Sequence, residues 1–515
     1  MARHKIILIL FFVLFLALGV SLFKDYGASW DEGWQRELGS LTFDYVVNGD
    51  QRILHYVDRA YGPFFEVVLV ALEKGFHLND NIRAIFLMRH LFTFLLFYLG
   101  VIFFYKLCAR IFQSWRLGLL GCLFLVLSPR IFADAFYNSK DIPCLSVFII
   151  CAYTLINFLD HKTIKNALVH ALACAALIDI RIVGILVPFL TFLFTLIDIG
   201  VMRFTGVDFK KAFLSLCAYC FFLELFTVLF WPFLWPSPLN NFIYALKLMS
   251  HFQWDGTVLY LGHYVRSFHL PWHYIPVWIA VTTPLTYVVT FCIGYARTIV
   301  LAVWKPASFY QHKRGELLAL LLFSMPLLAV ILFKSVLYDA WRQMFFIYPF
   351  FLILSLIGFR AVFNFVREKS SGVLIQTALG ILIVFNLSTV VFFMVRCHPY
   401  QNIYFNSLAG RDLKEIKSKF ELDYWGLSLT KVLEHIMAND NGRVVPIYAD
   451  GPFKIVPTEL LAAGDMNRLM FVENILGAKY FISDYRWHWQ DYQYKNDPYY
   501  SVKVDGVPIA VAYRL

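Results

Sequence analysis

The chain has 515 residues, of which 60% are hydrophobic, 18% aromatic and only 16% charged. Soluble domains carry about 25% charged residues, so this composition excludes a water-soluble enzyme and indicates a membrane protein. The apolar residues form blocks of roughly 17–22 residues, the length that a helix needs to cross about 30 Å of hydrocarbon. A membrane β-barrel would show alternating strands of about ten residues, so the pattern predicts a helical bundle.

The net charge of +10 is interpreted as a topology signal rather than as a nucleic-acid-binding surface, because the basic residues cluster between apolar blocks. The first block, Ile6 to Phe23, follows Arg3, His4 and Lys5. A cleaved signal peptide has a shorter apolar core and a small-residue cleavage site. We therefore expect a retained signal anchor with a cytoplasmic N-terminus.

Eleven membrane spans are predicted, and a further apolar segment at 64–79 is interpreted as re-entrant or interfacial. The spans lie at about 6–23, 84–105, 117–133, 142–159, 166–180, 182–199, 212–230, 272–294, 316–333, 343–362 and 373–395. Successive basic clusters then fall on the side of the N-terminus, as the positive-inside rule requires. The odd number of spans places residues 396–515 outside the cytoplasm, at the bacterial inner membrane or, in a eukaryote, the endoplasmic reticulum.

The predicted fold is an all-α polytopic membrane bundle with a small C-terminal extracytoplasmic α/β domain. Residues 1–395 form the bundle, with extracytoplasmic loops at 24–83, 130–141 and 231–271. The second domain covers 396–515. Its pattern predicts an amphipathic helix at 411–439 and strands at 444–448, 479–483 and 507–512.

Two acidic residues, Asp31 and Glu32, follow the first span. Ser29 and Glu32 have the spacing of a helix capping box, in which the glutamate turns back onto the cap. In that arrangement Asp31 projects toward the membrane surface, where a carboxylate can serve as a general base. Both acids are therefore candidate site residues.

The second loop carries four charged residues within twelve positions: Arg130, Asp134, Lys140 and Asp141. Asp141 precedes Pro143 and an apolar run, so the alternative role of its carboxylate is to cap the next helix. This many charges at a membrane surface exceeds what a cap requires. All four are candidates for the site.

Two arginines lie at span ends. Arg181 separates two short apolar blocks, and its alternative role is a structural ion pair with Asp179. Arg342 stands at the start of a span, where its planar fork suits a phosphate, and interfacial snorkelling is its alternative. Acids and guanidinium groups at helix ends indicate a reaction site at the membrane surface, whereas a transport path places ionisable residues near the midplane.

Several motifs in this order resemble the GT-C membrane glycosyltransferases, in particular the protein O-mannosyltransferase (family 39) and aminoarabinose transferase branch. They are Asp31-Glu32, Tyr61-Gly62-Pro63, Ser128-Pro129 with Asp141-Ile142-Pro143, Leu270-Pro271-Trp272-His273-Tyr274 with Thr282-Thr283-Pro284, and Tyr338-Asp339-Ala340-Trp341-Arg342. The resemblance covers most of residues 1–345. It departs at Tyr61, where the aminoarabinose branch has a lysine in a Lys-Pro-Pro element, so phosphate binding must come from elsewhere.

The resemblance implies an inverting transferase that moves a sugar from a polyprenyl-phosphate-linked donor to a lipid, glycan or protein acceptor on the non-cytoplasmic face. The residues fit this chemistry independently, because an acceptor hydroxyl needs a base and a departing phosphate needs positive charge. Catalytic roles are expected for Asp31, Glu32 and Asp141. Phosphate binding is expected from Arg181, Arg342 and Lys140, with Asp134, Tyr61 and Arg130 as further candidates.

A divalent cation is a candidate cofactor, with Asp31, Asp141, His251 and Asp255 as conceivable ligands, but no tight ligand spacing assigns one. The expected partners are the lipid-linked donor, the acceptor and membrane lipids, with no nucleic acid. The principal alternative function is a lipid flippase or solute transporter without transferase activity. Another is a GT-C ligase that uses a pyrophosphate-linked glycan.

Overall fold

The computed structural model describes residues 3–78, 81–205, 209–250, 252, 254–367, 372–451, 456–494 and 497–515. Within them the bundle contains eighteen α-helices, some of which are short and lie in the loops. Their bounds are α1 Arg3–Leu22, α2 Trp30–Asn48, α3 Arg52–His55, α4 Phe64–Gly75, α5 Ile82–Phe112, α6 Trp115–Val126, α7 Pro129–Tyr137, α8 Asp141–Asp160, α9 Ile164–Ile180, α10 Leu186–Thr205, α11 Phe209–Phe230, α12 Pro238–Ser250, α13 Tyr274–Thr282, α14 Leu285–Trp304, α15 Pro306–His312, α16 Arg314–Leu332, α17 Tyr348–Arg367 and α18 Gly372–Arg396.

Nine helical segments in the described residues are long and apolar enough to cross a membrane. They are His4–Leu22, Ile82–Phe112, Asp141–Asp160, Ile182–Gly200, Phe209–Phe230, Leu285–Trp304, Arg314–Leu332, Arg342–Arg367 and Gln376–Arg396. A tenth span is present if α6 and α7, bent by 69° at their junction, are counted as one. The chain is thus an integral multi-pass membrane protein, as predicted.

The described residues contain nine or ten spans rather than the predicted eleven, for two reasons. The predicted span at 117–133 is the bent α6–α7 pair, in which the residues before Pro129 leave the helix. The predicted span at 166–180 is α9, whose 17 residues are about 25 Å long and fall just short of the other spans.

The predicted span at 272–294 is wrong as a single helix. Thr283, which precedes Pro284, is extended at ψ 142°, so α13 ends and α14 begins after the proline. The side-chain amide of Asn406 donates to the carbonyl oxygens of Ala280 and Thr283, both at 2.6 Å. A residue of the C-terminal domain therefore satisfies the carbonyls that this break leaves free.

The C-terminal domain contains a five-stranded sheet in the order β4-β3-β5-β7-β6. The strands are β3 Val445–Asp450, β4 Leu469–Phe471, β5 Tyr480–Ser483, β6 Tyr500–Val504 and β7 Val507–Arg514, and the bundle loop contributes the hairpin β1 Thr257–Tyr260 and β2 His263–Arg266. β3 is parallel to β4 and β5, whereas β7 is antiparallel to β5 and β6. The three predicted strands are confirmed, and the two outer strands were missed.

The single helix predicted at 411–439 is wrong. The segment forms α19 Leu413–Lys417 and α20 Leu427–Asn439, and the domain also contains the short α21 Ala463–Met466. Asp423 accepts the backbone N–H groups of Leu427 and Ser428, which caps α20 at its own start. Gly426 before it adopts the left-handed conformation, φ 70°, which interrupts a continuous helix.

The two ends of the bundle differ in what they contact. His4 packs against Trp115 near the end of α5, with ring centroids 5.8 Å apart. At the other end, Trp425 of the C-terminal domain donates its indole N–H to Asp134 at 3.1 Å. The N-terminus and the C-terminal domain thus lie at opposite ends of the bundle, and we call the latter the domain end.

Candidate active site

A cavity of about 200 Å³ opens at the domain end, between the loop helices, the start of α8 and the segment before α17. Its wall is mostly apolar, including Trp231, Met249 and Phe252. The polar residues that border it are Asp31, Tyr61, Lys140, Ser335, Tyr338, Arg342, Gln343 and, at the break between α9 and α10, Arg181. Five residues predicted from separate segments of the sequence therefore meet at one cavity.

Asp31 borders the cavity because the start of α2 is fixed behind it. The carboxylate of Glu32 accepts the backbone N–H of Ser29 at 2.7 Å, as the capping box predicts, and its other oxygen lies 2.9 Å from Nε2 of His90. Glu32 is buried and does not border the cavity. The side chain of Asp31 is 38% exposed, so of the two acids only Asp31 is open to a ligand.

Arg342 is the most connected cation of the site. One terminal nitrogen lies 3.2 Å from the carboxylate of Asp31, and the other lies 3.2 Å from that of Asp141. Its guanidinium also donates to Asp339 and lies 4.5 Å from the ring centroid of Trp425. The side chain is 3% exposed, so Arg342 is not an interfacial anchor that snorkels to water.

Asp141 lies behind the cavity wall and connects two arginines. It binds Arg342 with one oxygen and Arg181 with the other, and the amide of Asn138 donates to it as well. The ion pair of Arg181 that the structure shows is with Asp141, not with Asp179, the partner in the alternative interpretation. Asp179 is fully buried.

Lys140 of the second loop brings a positive charge to the ring of Tyr61 in the first loop. Its ammonium nitrogen lies 3.4 Å from the centroid of the Tyr61 ring, a cation–π contact. Burial, with a further contribution from the nearby Arg181, lowers the pKa of Lys140 to about 8. Burial also raises the pKa of Tyr338 to about 12.

Two candidates of the second loop do not border the cavity. Asp134 is fully buried and accepts hydrogen bonds from Tyr137, Asn138 and Trp425. Arg130 donates Nε to the carbonyl of Tyr404 at 3.1 Å and packs against aromatic rings. Both residues join the bundle to the C-terminal domain.

Sequence reasoning missed the contribution of the C-terminal domain. Arg486 donates to Asp339 at 2.5 Å, and the second oxygen of Asp339 accepts two hydrogen bonds from Arg342. Asp339 belongs to a motif that the sequence singled out, but nothing in the sequence pairs it with residue 486. Arg486 is thus a fourth cation near the site, after Arg342, Arg181 and Lys140, and Asp339 lies between it and Arg342.

The described residues contain no group of three or more His, Cys, Asp or Glu side chains arranged to hold a metal ion. Asp31 and Asp141 share the guanidinium of Arg342 instead. Asp255 is exposed and does not border the cavity, and His251 lies outside the described residues.

The fold and the cavity define an integral multi-pass membrane protein with a cationic site where the bundle meets its C-terminal domain. No protein-family model and no curated sequence matches the chain. Among solved structures the chain is similar to the crystal structure of ArnT from Cupriavidus metallidurans bound to undecaprenyl phosphate, with 12% identity over 97% of each chain and a TM-score of 0.49. The function proposed below is inferred from the cavity and its charged residues.

Proposed function

We propose that this protein is a GT-C type membrane glycosyltransferase, which moves a sugar from a polyprenyl-phosphate-linked donor to an acceptor hydroxyl on the non-cytoplasmic face. One observation carries the proposal: a half-exposed carboxylate, Asp31, borders the same cavity as Arg342, Arg181 and Lys140. A base and a cluster of cations are what glycosyl transfer from a phosphate requires.

In the proposed reaction the oxygen of the acceptor hydroxyl attacks the anomeric carbon of the sugar. Asp31 accepts the proton that this hydroxyl loses. The bond between that carbon and the phosphate oxygen breaks, and the electron pair leaves with the polyprenyl phosphate. Arg342, Arg181 and Lys140 stabilise the negative charge that develops on the leaving group. Attack from the side opposite the phosphate inverts the anomeric configuration.

The apolar wall of the cavity supports a lipid-linked donor. The polar groups gather on one side, around Arg342, while Trp231, Phe252 and Val330 provide a hydrophobic surface. A hydrocarbon chain lying in the bilayer delivers its phosphate at the depth of the domain end. In this proposal Asp141 and Glu32 position the reacting groups, because both are buried and already engaged by neighbours.

The test uses the purified protein in vesicles loaded on one leaflet with a polyprenyl-phosphate sugar, together with a membrane extract as acceptor source. The proposal expects free polyprenyl phosphate and a glycosylated product, both resolved by mass spectrometry, and neither in vesicles without protein. A flippase would move the intact donor to the other leaflet. Movement of the donor without its cleavage would reject the transferase and establish the alternative.

A second arm compares cell-envelope lipids, glycans and glycoproteins in cells with and without the protein. If the protein is a transferase, one glycosylated species is expected to be missing from the cells that lack it, while the unmodified form of that species and the donor accumulate. The mass difference identifies the sugar, and the class of the modified molecule identifies the acceptor.

A further inference from the structure

Arg486 of the C-terminal domain reaches the cationic site through a single carboxylate. It is 6% exposed, and one of its terminal nitrogens donates to Asp339 while the other donates to the carbonyl of Tyr424 at 3.1 Å. Asp339 therefore lies between two guanidinium groups, with one oxygen on Arg486 and the other on Arg342. The domain is thus linked to the proposed phosphate-binding residue by a specific ion-pair relay.

The backbone on both sides of this relay adopts an unfavourable conformation. Asp339 and Ala340 have φ values of 56° and 60°, and Tyr485 and Trp487, which flank Arg486, have 62° and 63°. Non-glycine residues rarely adopt the left-handed region, and such strain persists only where the surroundings impose it. The two segments bring Asp339 and Arg486 into contact while their backbones adopt a strained conformation.

The contacts of Arg342 show what the relay does. Three carboxylates contact Arg342, those of Asp31, Asp141 and Asp339. Two of them are shared with a second guanidinium, because Asp141 also binds Arg181 and Asp339 also binds Arg486. Since Arg486 takes one oxygen of Asp339, Arg342 receives only the other oxygen of that carboxylate.

We infer that Arg486 is a positioning residue of the C-terminal domain that keeps Arg342 available for the donor phosphate by binding Asp339. This inference rests on the proposed function. It assigns the C-terminal domain a role in donor binding, and it makes the phosphate site incomplete until the domain is docked. Without Arg486, the carboxylate of Asp339 turns wholly onto Arg342 and competes with the phosphate.

The test measures equilibrium binding of farnesyl phosphate to the purified full-length protein in detergent. Arg486→Met is expected to weaken binding about tenfold to a hundredfold, the range for losing a charge-assisted contact. Arg486→Lys, which retains a cation near Asp339, is expected to recover part of the affinity. Arg468→Met is the matched control, because Arg468 binds Asp465 and backbone carbonyls inside the same domain and has no contact with the cavity.

The double variant Arg486→Met with Asp339→Asn separates this role from simple domain docking. Asp339→Asn removes the carboxylate that would otherwise turn onto Arg342, so the affinity of the double variant for farnesyl phosphate is expected to return toward that of the parent. A structural role of the ion pair predicts that the double variant is at least as impaired as the single one, and that result would overturn the inference.

The remaining outcomes are also decisive. If the parent protein does not bind farnesyl phosphate, the proposed function fails, and the inference falls with it. If the parent binds it and Arg486→Met binds it equally well, the proposed function stands and the inference is rejected.

Discussion

The guanidinium of Arg342 lies 3.2 Å from the carboxylate of Asp141, although 201 residues separate the two in the chain. Arg181 binds the other oxygen of the same carboxylate. Asp141 thus holds two cations side by side at the cavity wall.

The first prediction concerns the base. Asp31→Asn is expected to lower the rate of transfer by a hundredfold or more, since general bases typically contribute 10²–10⁴-fold. Binding of the lipid-linked donor is expected not to weaken, because Arg342, Arg181 and Lys140 remain and one of the carboxylates on Arg342 loses its charge. The measurement is the release of polyprenyl phosphate under single-turnover conditions. Asp44→Asn is the control, because Asp44 is on the same helix and about as exposed but does not border the cavity. Equal rates for both variants would remove Asp31 from the mechanism.

The second prediction concerns the phosphate partner. Arg342→Lys is expected to weaken donor binding, because lysine offers a point charge where arginine offers a planar fork. Arg342→Ala is expected to bind worse still and to lose roughly 3–5 kcal/mol of stability, because it leaves buried carboxylates without their cation. Donor titration and thermal unfolding measure the two effects.

The matched control for Arg342→Lys is Arg360→Lys. Arg360 is on α17, which begins shortly after Arg342, and binds Glu316 at 2.9 Å far from the cavity. Donor binding of that variant is expected to equal the parent value. Should Arg342→Lys also match the parent, Arg181 or Lys140 becomes the principal phosphate ligand.

The third prediction is a pH dependence of donor binding. Burial lowers the pKa of Lys140 to about 8, so its ammonium is mostly charged at pH 7 and mostly neutral at pH 9. The donor is a phosphodiester and keeps its single charge across this range. Affinity is therefore expected to fall as the pH rises through about 8, and Lys140→Met is expected to bind weakly at both values. A parent affinity that is constant from pH 7 to 9 would contradict a role for this ammonium.

The fourth prediction concerns stability. Burial, only partly offset by Arg486, raises the pKa of Glu421 to about 8, against about 4.3 in an unfolded chain. Glu421 then takes up a proton on folding between these values, so its contribution to stability is expected to fall as the pH rises from about 4.3 to about 8 and then to level off. Glu421→Gln is expected to make the pH dependence of thermal unfolding less steep over this range. Glu434→Gln, on the exposed surface of α20, is expected to keep the pH dependence of the parent.

The fifth prediction is the orientation of the bundle. The N-terminus and the turn around Lys162 lie at one end, where Lys162 binds Asp198, and the C-terminal domain lies at the other. The positive-inside rule assigns the basic end to the cytoplasm. Reporter fusions after residue 163 are expected to be cytoplasmic and those after residue 400 extracytoplasmic. A cytoplasmic C-terminal domain would reverse the scheme.

The sequence by itself determined the membrane bundle, most of its spans and a C-terminal region that contains a small sheet. Hydropathy suffices there, because hydrocarbon forces each crossing segment to satisfy its backbone hydrogen bonds as a helix. Local patterns also predicted the capping box of α2, in which Glu32 binds the backbone of Ser29. The same reasoning failed at Pro284 and within 411–439, where one apolar or amphipathic run contains a break that neighbouring elements stabilise.

Only the tertiary structure decided which charged residues meet. The sequence offered Asp179 as the neighbour of Arg181, two positions away, but the helix ends at residue 180 and directs the arginine to Asp141. It gave no sign that Arg486 contacts Asp339, because that pairing depends on how the C-terminal domain docks. Ion pairs in a buried site form between whichever charges packing brings within a few ångströms, and that distance is a property of the folded chain rather than of local sequence.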